Sequence, residues 1–312
     1  MINCNKELFL EKGNFSDSIV KAYLVVFKKI KELEEQLGKD AKDFNLLELH
    51  VMLKCLSSKS YHSINVKWCL MKNYIKYYGN SYPDRITQDD IKLYIDTEEN
   101  ENRYISRKDL EKAVNNLENP QDRVMLLLLF EGVYDSTCKQ LLNLRVDQIN
   151  TKDKEIYLED RTIKISDFTN EEIKVSLKTS LFYKLGNCGD YPLSSEVYKL
   201  NTDSPYIIRT KPSKRTKDGM SPLGFEGFKS RMQKLSDEIG LPFSSLTLYH
   251  SGLFEKVLEK ETIKYKRKNE LLTLSEIKTI LYDNGVKKVQ ISAFKKAYDG
   301  YKRKYKINLF EL

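Results

Sequence analysis

Residues 207–234 hold eight basic side chains and only two acidic ones. Arg209, Lys211, Lys214, Arg215 and Lys217 surround a Pro- and Gly-containing loop, and Lys229, Arg231, Gln233 and Lys234 follow on a segment of helical period through Phe225, Phe228, Met232 and Leu235. Lysines in such a setting neutralise phosphates, while arginine and glutamine can pair with guanine and adenine edges in a duplex groove. Residues 285–312 repeat the balance, eight basic to two acidic, so a net charge of +8 leaves the rest of the chain net acidic. Charge gathered this way makes a face for a polyanion rather than a uniformly solvated surface. Lys59, His62 and Lys67 add a smaller set, because they lie off the apolar stripe of Ile64, Trp68, Met71 and Ile75.

Other chemistries find little to use. The five cysteines are Cys4, Cys55, Cys69, Cys138 and Cys188; they are odd in number, lack a CxxC pair and read as reduced thiols. His50, His62 and His250 form no metal-ligand pattern with them, so neither a metal nor another cofactor is expected. No apolar run approaches the ~20 residues that span a bilayer, and the N-terminus lacks a signal-peptide core, which points to a cytoplasmic protein without a membrane partner. At 312 residues with 40% hydrophobic content, the chain can build two domains with real cores.

The elements that must position these residues are mostly helices. Asp122–Ile149 is the densest stretch: an apolar run from Met125 to Leu129, a break at Gly132, then Leu141, Leu142 and Leu144. This pattern predicts a buried helix, a tight turn and an amphipathic helix leading to a hairpin, with strands at Glu155–Leu158 and Thr162–Ile165. Further helices are expected over 14–38, 45–56, about 60–78, 89–95, 171–184, 222–239 and 274–282, with a short strand at Tyr206–Arg209. The expected class is mainly α with a small β-hairpin or sheet. The expected domains are 1–80, a polar linker at 81–103, and 104–312.

Three stretches carry a resemblance. Gly132 with the Leu141-Leu142-Asn143-Leu144-Arg145 tail resembles the first catalytic box of tyrosine recombinases, the phage integrases. Leu246-Thr247-Leu248-Tyr249-His250-Ser251 resembles their second box, and Val286–Tyr305 is where their nucleophilic tyrosine would lie. The resemblance implies an N-terminal helical, SAM-like DNA-binding domain followed by a domain of recombinase catalytic fold. The catalytic side chains do not carry over. Counting back from the tail puts Thr137 at the first arginine, whereas counting forward from Gly132 puts Tyr134 there. Leu246 replaces the first histidine of the second box, Tyr249 its arginine, and Phe294 best fits the place of the nucleophile, with Tyr298 a turn away. Arg161 and Lys164 flank the hairpin position of the family's catalytic lysine and read as surface charges.

In order of elements the chain resembles the integrase-like regulators of temperate phages, among them the lysogeny repressors of SPbeta-like Bacillus phages. This implies a repressor that binds double-stranded operator DNA without catalysis, works at the nucleoid of a bacterial host and answers to a phage-encoded antirepressor. An active recombinase with drifted boxes and a protein-interaction module are the competing readings.

Overall fold

The computed structural model describes residues 4–58, 61–95, 102–183, 197–210, 218–286, 288 and 290–307. The chain divides into two compact units, Met1–Asn100 and Glu101–Leu312.

The first unit is helical: α1 (Cys4–Lys12), α2 (Asp17–Leu37), α3 (Leu46–Cys55), α4 (Tyr61–Tyr77) and α5 (Gln88–Lys92). α2 turns Tyr23, Val26, Phe27, Ile30 and Leu33 inward and stops at Gly38, whose left-handed backbone lets its N–H reach the last carbonyls. α3 starts at Asn45, whose side chain accepts from Glu48 N while the Glu48 carboxylate accepts from Asn45 N, a reciprocal cap. α4 completes the core with Ile64, Trp68, Met71, Tyr74 and Ile75. Ile86 and Ile91 belong to this core as well. The segment expected as a linker with one short helix is folded onto the first unit up to α5, because Ile86 and Ile91 have an apolar surface to cover.

The second unit is built around α7 (Pro120–Glu131), which follows α6 (Arg107–Asn115). From Val124 to Glu131 every residue of α7 is buried, as the unbroken apolar run requires. It packs against α6, α9 (Asp167–Lys178) and the long α11 (Ser245–Lys268). The closest approach is at Gly252 of α11, where a Cβ would stand 1.7 Å from the Phe130 carbonyl oxygen. After the turn at Gly132 only a four-residue helix, α8 (Lys139–Leu142), forms. A three-stranded antiparallel sheet of β1 (Ile149–Asn150), β2 (Glu155–Tyr157) and β3 (Thr162–Lys164) follows, pairing Ile149 with Ile156 and Ile156 with Ile163. β4 (Leu181–Tyr183) pairs with β5 (Val197–Lys199) where the sequence suggested a helix end and irregular chain. The expected strand at Tyr206–Arg209 is reduced to a single bridge between Tyr206 and Arg145. α10 (Phe225–Ile239), α12 (Leu274–Asp283) and α13 (Ile291–Lys304) complete the unit. No helix among the described residues is long and apolar enough to cross a membrane.

Candidate nucleic-acid interface

α10 carries the clearest basic face. Phe228, Met232 and Leu235 are buried, which turns Lys229, Gln233 and Lys234 out to solvent. The Gln233 amide donates to Asp237 Oδ1 at 2.9 Å, a contact that water or a base edge can replace. Arg231, expected on the same face, is turned inward. Its Nε donates to the carboxylate of Asp122, which is fully buried, and its guanidinium lies 4.5 Å from the Phe182 ring centre. A fork held by a buried anion and an aromatic face cannot read a guanine. Arg231 is an internal ion pair.

Arg209 is corrected for a similar reason. It is 5% exposed, and its two terminal nitrogens donate to the Thr179 and Leu177 carbonyls at 3.0 Å, closing the end of α9. Lys67 in the first unit is likewise engaged. Its ammonium donates to the Leu56 carbonyl at 3.2 Å and to the Ser58 hydroxyl, and burial holds its pKa below the usual lysine value. His62 is exposed at the start of α4. Lys59, Lys211, Lys214, Arg215 and Lys217 lie outside the described residues.

The positions read as degenerate catalytic sites fall in three settings. Thr137 is exposed in a turn, its N–H and hydroxyl both donating to Asp135 Oδ1. Leu246 is exposed at the start of α11. Tyr134 and Tyr249, by contrast, stack on each other, ring centres 4.7 Å apart and planes 23° from parallel. Tyr249 is buried and donates to the Asn284 carbonyl at 3.1 Å, and burial pushes its phenol up to about 12. It stays a neutral ring at any physiological pH. His250 sits among the Tyr249, Phe254 and Phe294 rings, with centres 6.0 to 6.3 Å away. Burial, with the Arg103 charge as a smaller cause, pushes it down to about 4.

Phe294 and Tyr298 are both in the core of the second unit. The Tyr298 hydroxyl donates to Glu261 Oε2 at 2.8 Å, and the Lys302 ammonium donates to the same oxygen at 3.0 Å. Burial and the Glu261 carboxylate raise the Tyr298 pKa far above the usual phenol value. Tyr301 is held the same way by Glu255, at 2.5 Å, and the Tyr305 hydroxyl accepts from Ser106 N at 3.0 Å. All three C-terminal tyrosines are packing residues whose hydroxyls are already committed.

Residues 104–308 match the family described as MrpR, C-terminal catalytic domain, and residues 1–79 match MrpR, N-terminal core-binding domain. The chain belongs to the MrpR family. Among curated relatives it is similar to the SPbeta prophage-derived uncharacterized protein YopR of Bacillus subtilis (strain 168), at 24% identity over 69% of each chain. Among solved structures it is similar to XerA recombinase (TM-score 0.38, 11% identity) and to the Tn1549 transposon integrase in complex with transposon right end DNA (TM-score 0.42, 10% identity), each over 97% of both chains. The chain is mainly helical with a small antiparallel sheet, and its two matched segments are a core-binding and a catalytic-type domain of that family.

Sequence reading missed two cations of this MrpR-family chain. Arg161 is not a surface charge: its side chain is 9% exposed, and it donates to the Gly132 carbonyl at 2.8 Å and to Gln140 Oε1 at 3.0 Å. Gly285, at φ +84° in the left-handed region that favours glycine, faces it, and a Cβ there would push on the guanidinium carbon at 2.6 Å. Lys256 donates to the Glu131 carbonyl and to Asn284 Oδ1, both at 2.8 Å, and burial pushes its pKa down to about 8. Together these cations satisfy the open carbonyl end of α7. A signal existed in the sequence: Gly132 marks the C-terminus of α7, where the carbonyls of Glu131 and Gly132 itself are left for side-chain donors. Their identity was hidden by separations of 29 and 125 residues. Among the described residues no group of His, Cys, Asp and Glu could hold a metal.

Proposed function

We propose that this chain is a sequence-specific DNA-binding repressor of a temperate phage, holding the prophage silent on a recombinase scaffold that does not cut DNA. The observation that carries the reading is the Tyr134–Tyr249 stack. Counted forward from Gly132 and along the second box, these two rings stand where a recombinase needs its two phosphate-clamping arginines. A neutral ring offers no fixed fork for a phosphate. Loss of a single such clamp typically slows a reaction ~10²–10³-fold, and here both are gone. Tyr298, the nearest candidate nucleophile, has its hydroxyl committed to Glu261.

DNA binding is supported by the recombinase-like fold, by the prophage origin of the relative, and by the exposed Lys229, Gln233 and Lys234 on α10. Operator sites in the phage genome are the proposed partner, a phage-encoded antirepressor the proposed antagonist, and the host nucleoid the proposed location. Each unit is proposed to contact duplex DNA.

The test is footprinting on phage DNA beside a denaturing gel of the same reactions. A protected sequence with no denaturation-resistant protein–DNA band is expected. Such a band, absent from Tyr298→Phe, would establish an active recombinase instead. Affinity indifferent to salt would favour a protein-interaction module, since phosphate contacts make log affinity fall by about 0.9 per phosphate with log salt.

A further inference from the structure

A cavity of about 340 Å³ opens in the second unit. Phe182, Leu200 and Leu223 form its apolar wall, and Arg209, Arg231 and Lys234 its polar one. Both arginines are short of partners. Arg209 spends its terminal nitrogens on two backbone carbonyls, its Nε has no acceptor, and no carboxylate among the described residues pairs with it. Arg231 gives Nε to Asp122, but its Nη2 has no acceptor. Among the described residues Arg209 is a buried cation held only by backbone dipoles, beside a second guanidinium already neutralised by Asp122. Such a charge and such orphaned donors are costly to keep out of water. Two structural arginines would not need a cavity against them.

We propose that this cavity is a binding site for a small organic monoanion, a carboxylate carried on a flat apolar body. The Arg209 charge, which no carboxylate among the described residues neutralises, is matched by one carboxylate on the ligand. Phe182, already under the Arg231 guanidinium at 4.5 Å, offers a face for a planar group, and Leu200 and Leu223 favour a body without polar atoms. The volume is near the lower end of ligand pockets, which favours a single small ring. The ligand's carboxylate is placed beside the Arg209 guanidinium, which lines the cavity while its terminal nitrogens hold the Thr179 and Leu177 carbonyls. Lys234, exposed on α10, supplies a further positive group at the cavity. The inference stands without the DNA-binding reading, because its charges and walls are internal to the second unit.

The experiment is a calorimetric titration of the full chain with benzoate, with benzamide and inorganic phosphate as comparison probes. Gly227 lines the cavity from α10, and a Cβ there would meet only the tip of Leu223, at 3.2 Å. Gly227→Leu therefore fills the space while leaving every charge in place. Benzoate is expected to bind the wild type at least about tenfold more tightly than benzamide or phosphate, and to lose at least tenfold in Gly227→Leu. Equal binding of benzoate and benzamide, equal binding of benzoate and phosphate, or unchanged binding by Gly227→Leu would overturn the site. If that variant fails to fold, the arginine Nε–H resonances of the wild type decide. A benzoate-dependent shift of the Arg209 signal is expected, and its absence at saturating benzoate refutes the proposal.

Discussion

Acidification should cost the second unit stability through His250 in a way that one substitution can isolate. In the unfolded chain this ring titrates near 6.5; in the folded chain burial among Tyr249, Phe254 and Phe294 pushes it down to about 4. Between those values the unfolded chain binds a proton that the folded chain refuses, so stability falls as pH falls. Above about pH 6.5 neither state is charged and the contribution vanishes. From pH 7 to pH 5 the linkage amounts to about 2 kcal/mol, a factor near thirty in the folding equilibrium. The assay is urea unfolding of the wild type and His250→Phe at both pH values. Paired carboxylates such as Glu131 also weaken on acidification, but equally in the two proteins, so the difference belongs to His250. The variant's loss is expected to be smaller by about 2 kcal/mol. Equal losses would refute the burial argument and leave a titratable imidazole free to meet a phosphate.

Three further outcomes follow from the same contacts. Lys229→Ala and Lys234→Ala should weaken binding to all DNA sequences alike and lower the salt slope by about 0.9 each, as gel-shift titrations would read; an effect confined to one operator would make them base readers. Arg231→Ala should strand the fully buried Asp122 carboxylate and cost about 3–5 kcal/mol in urea unfolding; normal stability with relaxed base preference would return it to the DNA face. Gly252→Ala places a methyl 1.7 Å from the Phe130 carbonyl, so α11 must move off α7, and a loss of about 3 kcal/mol is expected by thermal unfolding. An unchanged melt would mean that the two helices are not in contact there.

The sequence made the scaffold legible where one residue type settles the matter. An apolar run too long to face water had to become α7, and Gly38 and Gly132 marked where helices stop. The start of α12 was legible at Thr273, whose hydroxyl accepts from Glu276 N. The candidate site was less legible because its side chains are decided by partners far along the chain. Arg231 and Lys229 sit on one helix and look alike in sequence, yet Asp122, 109 residues away, takes one inside and leaves the other in solvent. Arg209 is drawn in by the carbonyls that end α9, and Arg161 by those that end α7. Tyr134 and Thr137 were equal contenders because the turn at Asp135–Cys138, with Cys138 at φ +56°, changes the spacing of the box without an obvious breaker. β4 was hidden because its three residues follow a helical pattern directly.

The most direct test of the central claim is one reaction read twice: the full chain on phage DNA, footprinted natively and then denatured to detect covalent protein–DNA species. A protected operator with all DNA released on denaturation is the expected result. A covalent band that disappears in Tyr298→Phe would contradict the account, since it would require a reactive phenol where the structure has one bound to Glu261.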